Sequence, residues 1–138
     1  MKPLVCLLLL SFSFPLQKVA AHPTMRCLTH PKSVKVAVKQ SKAVFLGEVL
    51  QIKTGGNYLQ VRFRVERSWK GVSTEEFSVS TDNTVESPHY RVGEKYLVFA
   101  GLYEGRMFTG ICSRTKKVEY AQKDLDQLGE GRSHNATK

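Results

Sequence analysis

Cysteine and histidine are the side chains here with the most chemistry to offer, and their spacing restricts what they can do. The chain holds three cysteines, Cys6, Cys27 and Cys112, and four histidines, His22, His30, His89 and His134. There is no Cys-x-x-Cys pair and no histidine cluster at ligand spacing, so a cysteine-built zinc site or a catalytic thiol finds little support. A Gly-x-Ser-x-Gly elbow, a phosphate loop and a His-Glu-x-x-His helix are also missing from the sequence, and with them the common hydrolase, nucleotide and metalloprotease signatures. Asp82 and Glu86 read as exposed loop residues. An enzyme is the least favoured class, and no cofactor is expected.

The compartment decides what the cysteines do. Residues 1–21 carry Lys2, an apolar run from Leu4 to Phe14 broken by Ser11 and Ser13, and small residues at Ala20 and Ala21. That is the layout of a secretory signal peptide, with a run too short and too soon ended by Pro15 to serve well as a membrane anchor. Cleavage after Ala21 predicts a secreted, extracellular chain that starts at His22 and forms one domain over residues 22–129. Cys6 leaves with the signal. Cys27 and Cys112 then form an even pair in an oxidising compartment, the setting for one disulfide. Closing so long a loop contributes roughly 4 to 5 kcal/mol in the chain-entropy model.

Loss of Lys2 and Lys18 lowers the formal charge from +9 to +7. A basic surface attracts polyanions such as heparan-type glycans, nucleic acid or anionic lipid, although net charge speaks to association and not to fold. The cations are scattered over Lys32, Lys35, Lys39, Lys42, Arg62, Arg64, Arg67, Lys70, Lys116 and Lys117. They read as a solvated face first and as a binding patch second.

The elements that must position these residues are mostly strands. From Tyr58 to Glu66, Leu59, Val61, Phe63 and Val65 alternate with Gln60, Arg62, Arg64 and Glu66, the period-two pattern of a strand with one wet face. Ala43 to Lys53 is rich in apolar and β-branched residues and runs into Thr54-Gly55-Gly56-Asn57, a hairpin loop by composition. Glu76 to Ser80 alternates again, Glu94 to Ala100 reads as buried on both faces, and Arg106 to Cys112 completes five strands. Phe63 and Phe99 fall in apolar phase and are assigned to the core. Trp69 reads as a packing anchor at a strand end, not as a base platform, and secretion disfavours nucleic acid as a partner.

Two helices flank the strands. Val118 to Leu128 places Val118, Ala121, Leu125 and Leu128 on one helical face and stops at Gly129. Ser33 to Gln40 fits both strand and helix periods, and Pro31, placed in the first turn, favours a short helix. Residues 130–138 read as a flexible polar tail. They contain Asn135-Ala136-Thr137, an N-glycosylation acceptor pattern at Asn135.

Several strings, in their order, resemble the netrin-like domains. They are AVFLGEV at residues 43–49, Trp69-Lys70-Gly71, VGEKYLVFA at residues 92–100, and ICSRT at residues 111–115 ahead of a charged helix. The nearest likeness is to the inhibitory domain of the tissue inhibitors of metalloproteinases and to its single-domain relatives. It extends from about Cys27 to Leu128. The resemblance implies a mainly β fold, a five-stranded OB-type barrel with a short N-terminal helix and a C-terminal helix packed beside it. In that family the mature chain begins Cys-x-Cys. Cys27 matches the second cysteine and Cys112 its partner, so the resemblance implies an N-terminal segment stapled to the end of the last strand.

One departure bears on function. Met25 stands where the first cysteine would be, and the stretch from Val85 to Tyr90, where its partner would lie, holds no cysteine. In the inhibitors, the α-amine and carbonyl of that first cysteine chelate the zinc of the proteinase. Here the expected N-terminus is at His22, three residues earlier. The resemblance thus implies a secreted binding protein of tissue-inhibitor type with an extracellular partner, possible targets being zinc metalloproteinases. Its binding edge would comprise His22, Pro23, Thr24, Met25 and Arg26 beside the loops Thr54–Asn57 and Thr81–Tyr90. The alternative is a basic module for anionic glycans or matrix without proteinase inhibition. His22 could offer copper or zinc an α-amine and an imidazole, but an exposed terminal residue is the plainer reading.

Overall fold

The computed structural model describes residues 30–84 and 88–134. The signal segment, His22 to Cys27 and Asn135 therefore lie outside the described residues, as does the glutamate expected at a loop position, Glu86.

The described chain is mainly β with two short helices. Helix α1 is Val34–Gln40. Strands β1 (Ala43–Gly55), β2 (Tyr58–Lys70), β3 (Glu76–Asp82), β4 (Lys95–Tyr103) and β5 (Arg106–Phe108) follow. A two-residue strand β6 (Lys116–Lys117), helix α2 (Gln122–Leu128) and a second two-residue strand β7 (Arg132–Ser133) complete it. The sheet order is β1-β2-β3-β5-β4, and β1 also pairs with β4, so these five strands close into a ring. Only the β3–β5 pairing is parallel.

Long strands must bend to close such a ring. The β1–β2 ladder shifts register between Val44 and Phe45, between Leu46 and Gly47, and between Val49 and Gln51. Each irregularity increases local twist and coils the hairpin. Gly71 ends β2 with φ 67°, and a Cβ there would collide with the Lys42 carbonyl oxygen, so the turn after Trp69-Lys70 accepts only glycine.

Alternation now has a destination. Phe45, Val49, Val61, Phe63, Val65, Val79, Tyr96 and Val98 fill the ring interior. Val44, Leu97 and Phe99 point the other way and pack under the helices with Val34, Ala37 and Ala121. Strand β4 is buried from Tyr96 to Ala100 because both of its faces are covered, as its uninterrupted apolar run predicts. Phe63 and Phe99 are both core residues.

Four expectations need correction. Pro31 precedes α1 and is not in its first turn; the helix is started by Ser33, whose Oγ accepts from the Val36 N–H at 3.3 Å. The C-terminal helix is shorter than Val118–Leu128: Val118–Tyr120 form one 3-10 turn and α2 begins at Gln122. Lys116 and Lys117 pair with Leu97 and Tyr96 as β6, which holds that stretch in the sheet. Strand β5 ends at Phe108, short of Cys112, because Thr109 turns aside to donate its hydroxyl to the Phe99 carbonyl at 3.0 Å. The tail is ordered through His134: Arg132 and Ser133 pair with Ser68 and Arg67, and the His134 N–H donates to the Glu66 carbonyl at 2.9 Å.

Candidate functional site

The one expected site cysteine within the described residues, Cys112, is disulfide-bonded. Its expected partner, Cys27, lies outside them. What the structure describes is the setting of Cys112. A group of hydroxyls fixes the loop around it: Thr109 Oγ1 lies 3.0 Å from Ser113 Oγ and 2.6 Å from Thr115 Oγ1. The Phe99 N–H donates to Thr115 Oγ1 at 2.9 Å, which joins the loop to β4.

Beside Cys112, Arg114 ties three parts of the chain together. Its Nε and Nη2 donate to both oxygens of Asp124 at 3.1 and 2.6 Å, while Nη1 donates to the Pro31 carbonyl at 3.1 Å. Lys116 Nζ reaches the same carboxylate at 3.0 Å. A bidentate guanidinium–carboxylate pair fixes orientation as well as distance. Asp124 is only 3% exposed. Its burial alone would raise the carboxyl pKa, but the hydrogen bonds from Arg114 and Lys116 outweigh that and hold it below its ordinary value. The clamp docks α2 and seats the chain that leads into α1 against the loop carrying Cys112.

A shallow cleft of ≈ 170 Å³ opens at this place, with Pro31, Phe99, Phe108, Cys112 and Arg114 in its walls. Phe108 links it to the β1–β2 hairpin: its ring meets Tyr58 edge-on at 6.3 Å and Tyr103 at 5.5 Å. Arg106 lies over the Tyr58 ring at 5.8 Å. Tyr58 pairs with Asp82, and the Asn83 N–H donates to the Asn57 carbonyl at 3.3 Å. Cys112, the hairpin Thr54–Asn57 and the start of the loop after β3 thus share one end of the ring.

The described ends of the second expected loop, Thr81 and Tyr90, are buried. Thr81 is fully buried, and Tyr90 sits in the ring interior against Phe63 and Tyr96 at 6.0 and 4.8 Å. Burial pushes the Tyr90 phenol far above the ordinary tyrosine range, so it is neutral. Among the described residues of this loop, Asp82 and Asn83 lie at the edge, and Thr81 and Tyr90 are buried.

Among the described residues no group of three His, Cys, Asp or Glu side chains could hold a metal ion. His89 offers its backbone carbonyl to the Tyr96 hydroxyl at 3.0 Å, and His134 Nε2 lies 2.7 Å from Ser68 Oγ. His22, where a metal was weighed, is outside the described residues. No helix among them is long and apolar enough to cross a membrane.

Several basic side chains are engaged by carboxylates besides Arg114 and Lys116. Arg62 pairs with Glu76, Arg64 with Glu48, Lys95 with Glu66 and Lys117 with Glu94. Sequence reasoning missed the Arg114–Asp124–Lys116 clamp and the aromatic group of Tyr58, Tyr103 and Phe108. The one available signal was ICSRT itself, an arginine two residues after a cysteine and ahead of an acid-bearing helix. Comparison with protein-family models and with curated proteins finds no match for this chain.

Proposed function

We propose that this chain is a secreted, netrin-like binding protein that meets an extracellular protein partner in the manner of the tissue inhibitors of metalloproteinases and catalyses nothing itself. The observation that carries this reading is the meeting of Pro31, Arg114, Asp124 and disulfide-bonded Cys112 at one end of the ring. The chain entering α1 is held there by Arg114, which is where a staple from Cys27 to Cys112 would bring the segment His22 to Arg26. The hairpin tip, Gly56-Asn57, with Thr54 and Gly55 already paired in β1, stands at the same end. The closed five-stranded ring in the order β1-β2-β3-β5-β4 supports the OB-type part of this reading.

The mechanism is display of an edge. A segment tethered by one disulfide and bordered by rigid hairpins loses less freedom on binding than a free terminus, for which ordering costs about 1 to 2 kcal/mol per residue. The missing first cysteine limits this. With Met25 in its place and the α-amine three residues upstream at His22, the segment lacks the second tether that aims an amine at a proteinase zinc. Inhibition of a metalloproteinase is therefore expected to be weak. Part of the basic face that the glycan-binding alternative would use is already committed to carboxylates, at Arg62, Arg64, Lys95, Lys116 and Lys117.

The test uses the exported protein with its N-terminus sequenced. Its intact mass should lie two hydrogens below the reduced value, and peptide mapping should join Cys27 to Cys112. A variant that begins at position 25 with Met25→Cys, and with a second cysteine introduced at Glu86, should inhibit a susceptible metalloproteinase better than the natural chain. Free thiols in the native protein, or tight retention on heparin without any effect on a proteinase, would overturn the reading.

A further inference from the structure

At the far end of β2 from Tyr58, an open groove of ≈ 530 Å³ runs between α1 and α2. Val34 and Val38 of α1, Leu128 of α2 and the Trp69 ring line it, with Lys35 and Gln127 as its polar members. Size and composition are those of small-molecule sites, which measure about 300 to 1,000 Å³ and combine apolar walls with a few polar groups.

The walls are held open. Trp69 donates its indole N–H to the Gly129 carbonyl at 3.0 Å. Gly131 lies so close behind that a Cβ there would stand 2.7 Å from the indole nitrogen. Arg67 braces the ring from 6.0 Å away. On the other side, Lys70 Nζ donates to the Val38 carbonyl at 2.7 Å and fixes the end of α1. The indole cannot swing in to fill the space, so an apolar trench is kept between braced elements.

Charge selects the occupant. Among the described residues no acidic side chain lines the groove, and α1 contains none, whereas Lys35 stands exposed at its rim with Lys39 one turn further on. Trp69 presents an apolar surface and a lysine ammonium waits beside it. We infer that this groove binds a free anionic amphiphile, an unbranched apolar chain lying on Trp69, Val34, Val38 and Leu128 with its carboxylate at Lys35. The inference does not rest on the proteinase reading, since it uses the opposite end of β2.

Trp69 is the only tryptophan in the chain, so its emission reports on the groove directly. Dodecanoate, kept below its micelle concentration, should change that emission saturably at one equivalent per chain, and dodecanol should bind more weakly. Lys35→Glu, at an exposed position that leaves the fold intact, should weaken dodecanoate about tenfold and leave dodecanol unchanged, the scale expected when a rim ion pair is reversed. Val38→Phe should fill the trench and abolish both responses, with circular dichroism confirming the fold. A non-saturating response, equal affinity of Lys35→Glu for dodecanoate, or emission that shifts with protein concentration alone because a second copy covers the groove, would overturn the inference. Failure here leaves the Cys112 edge untouched, and failure of proteinase inhibition leaves the groove untouched.

Discussion

The two apolar regions of this protein are built from the same strands and closed in different ways. Inside the ring, Phe45, Val61, Phe63, Val79 and Val98 are enclosed on every side by backbone ladders, and Phe45 meets Phe63 and Phe77 edge-on at 5.4 and 5.5 Å. On the flank, Val44, Leu97 and Phe99 are covered only by two short helices, and Val38, Trp69, Leu125 and Leu128 remain partly exposed there. The ring interior is secured by many hydrogen-bonded neighbours at once. The flank depends on a few named contacts: the Arg114–Asp124 clamp, the Ser33 cap and the Trp69–Gly129 bond. A seven-residue helix is marginal on its own, so the flank should loosen before the ring does.

Breaking the ring should have the largest effect. Phe63→Ala removes a fully buried ring in contact with three aromatic neighbours, Phe45, Tyr90 and Tyr96, and should cost about 3 to 5 kcal/mol. Urea denaturation should show one cooperative transition moved to lower concentration. Phe63→Asp should leave no folded protein, because the buried charge has no partner.

The clamp comes next. Asp124→Asn keeps the shape but withdraws the charge facing Arg114 and Lys116, and should cost about 2 kcal/mol. Its pH dependence has a definite sign. The folded-state pKa of Asp124 is depressed, so its contribution is present above the unfolded carboxylate value, near 3.8, and is lost as pH falls through the lower folded value. Melting temperature measured from pH 6 down to pH 2 should drop more steeply for the natural chain than for Asp124→Asn, with the two curves converging in acid.

The contrast also explains what the sequence could disclose. The ring was legible because alternation is enforced by geometry: when Val61, Phe63 and Val65 point inward, Arg62 and Arg64 must point out. The double-faced burial of β4 was legible for the same reason. The strands β6 and β7 were not, since Lys116-Lys117 and Arg132-Ser133 join the sheet through backbone groups alone and carry no apolar signal. Nor was the buried state of Asp124. An acid in a helix reads as solvated until Arg114 and Lys116, brought in by the turn before α2, are seen to enclose it. The cleft at Cys112 was legible only as far as the cysteine, because Phe108, Tyr58 and Pro31 reach it from three distant segments.

A smaller effect is expected at the start of α1. Ser33→Ala removes the oxygen that accepts from the Val36 N–H and should cost about 1 kcal/mol. The loss should be local. Hydrogen exchange should speed up at Val36, Ala37 and Val38 while the ring amides of Val61 and Phe63 keep their protection. Equal acceleration in both regions would mean that flank and ring open together, and the difference drawn between them would fail.

The smallest effect tests the outer face of the ring. Arg62 lies directly across the β2–β3 ladder from Ser78 and reaches Glu76 at 3.3 Å, with both side chains about half exposed. Two flexible side chains in water gain little from such a pair, since screening and lost rotamer freedom offset the attraction, and about 0.2 to 1 kcal/mol is the usual range. Arg62→Ala should therefore leave stability within about half a kcal/mol of the natural chain. A double-mutant cycle with Glu76→Ala should give a coupling that shrinks as salt rises. If Arg62→Ala instead destabilised as much as Asp124→Asn, a charge on the wet face would matter as much as one under the helices. The stability of the ring would then depend on its surface charges, and its closed interior would no longer account for the difference from the flank.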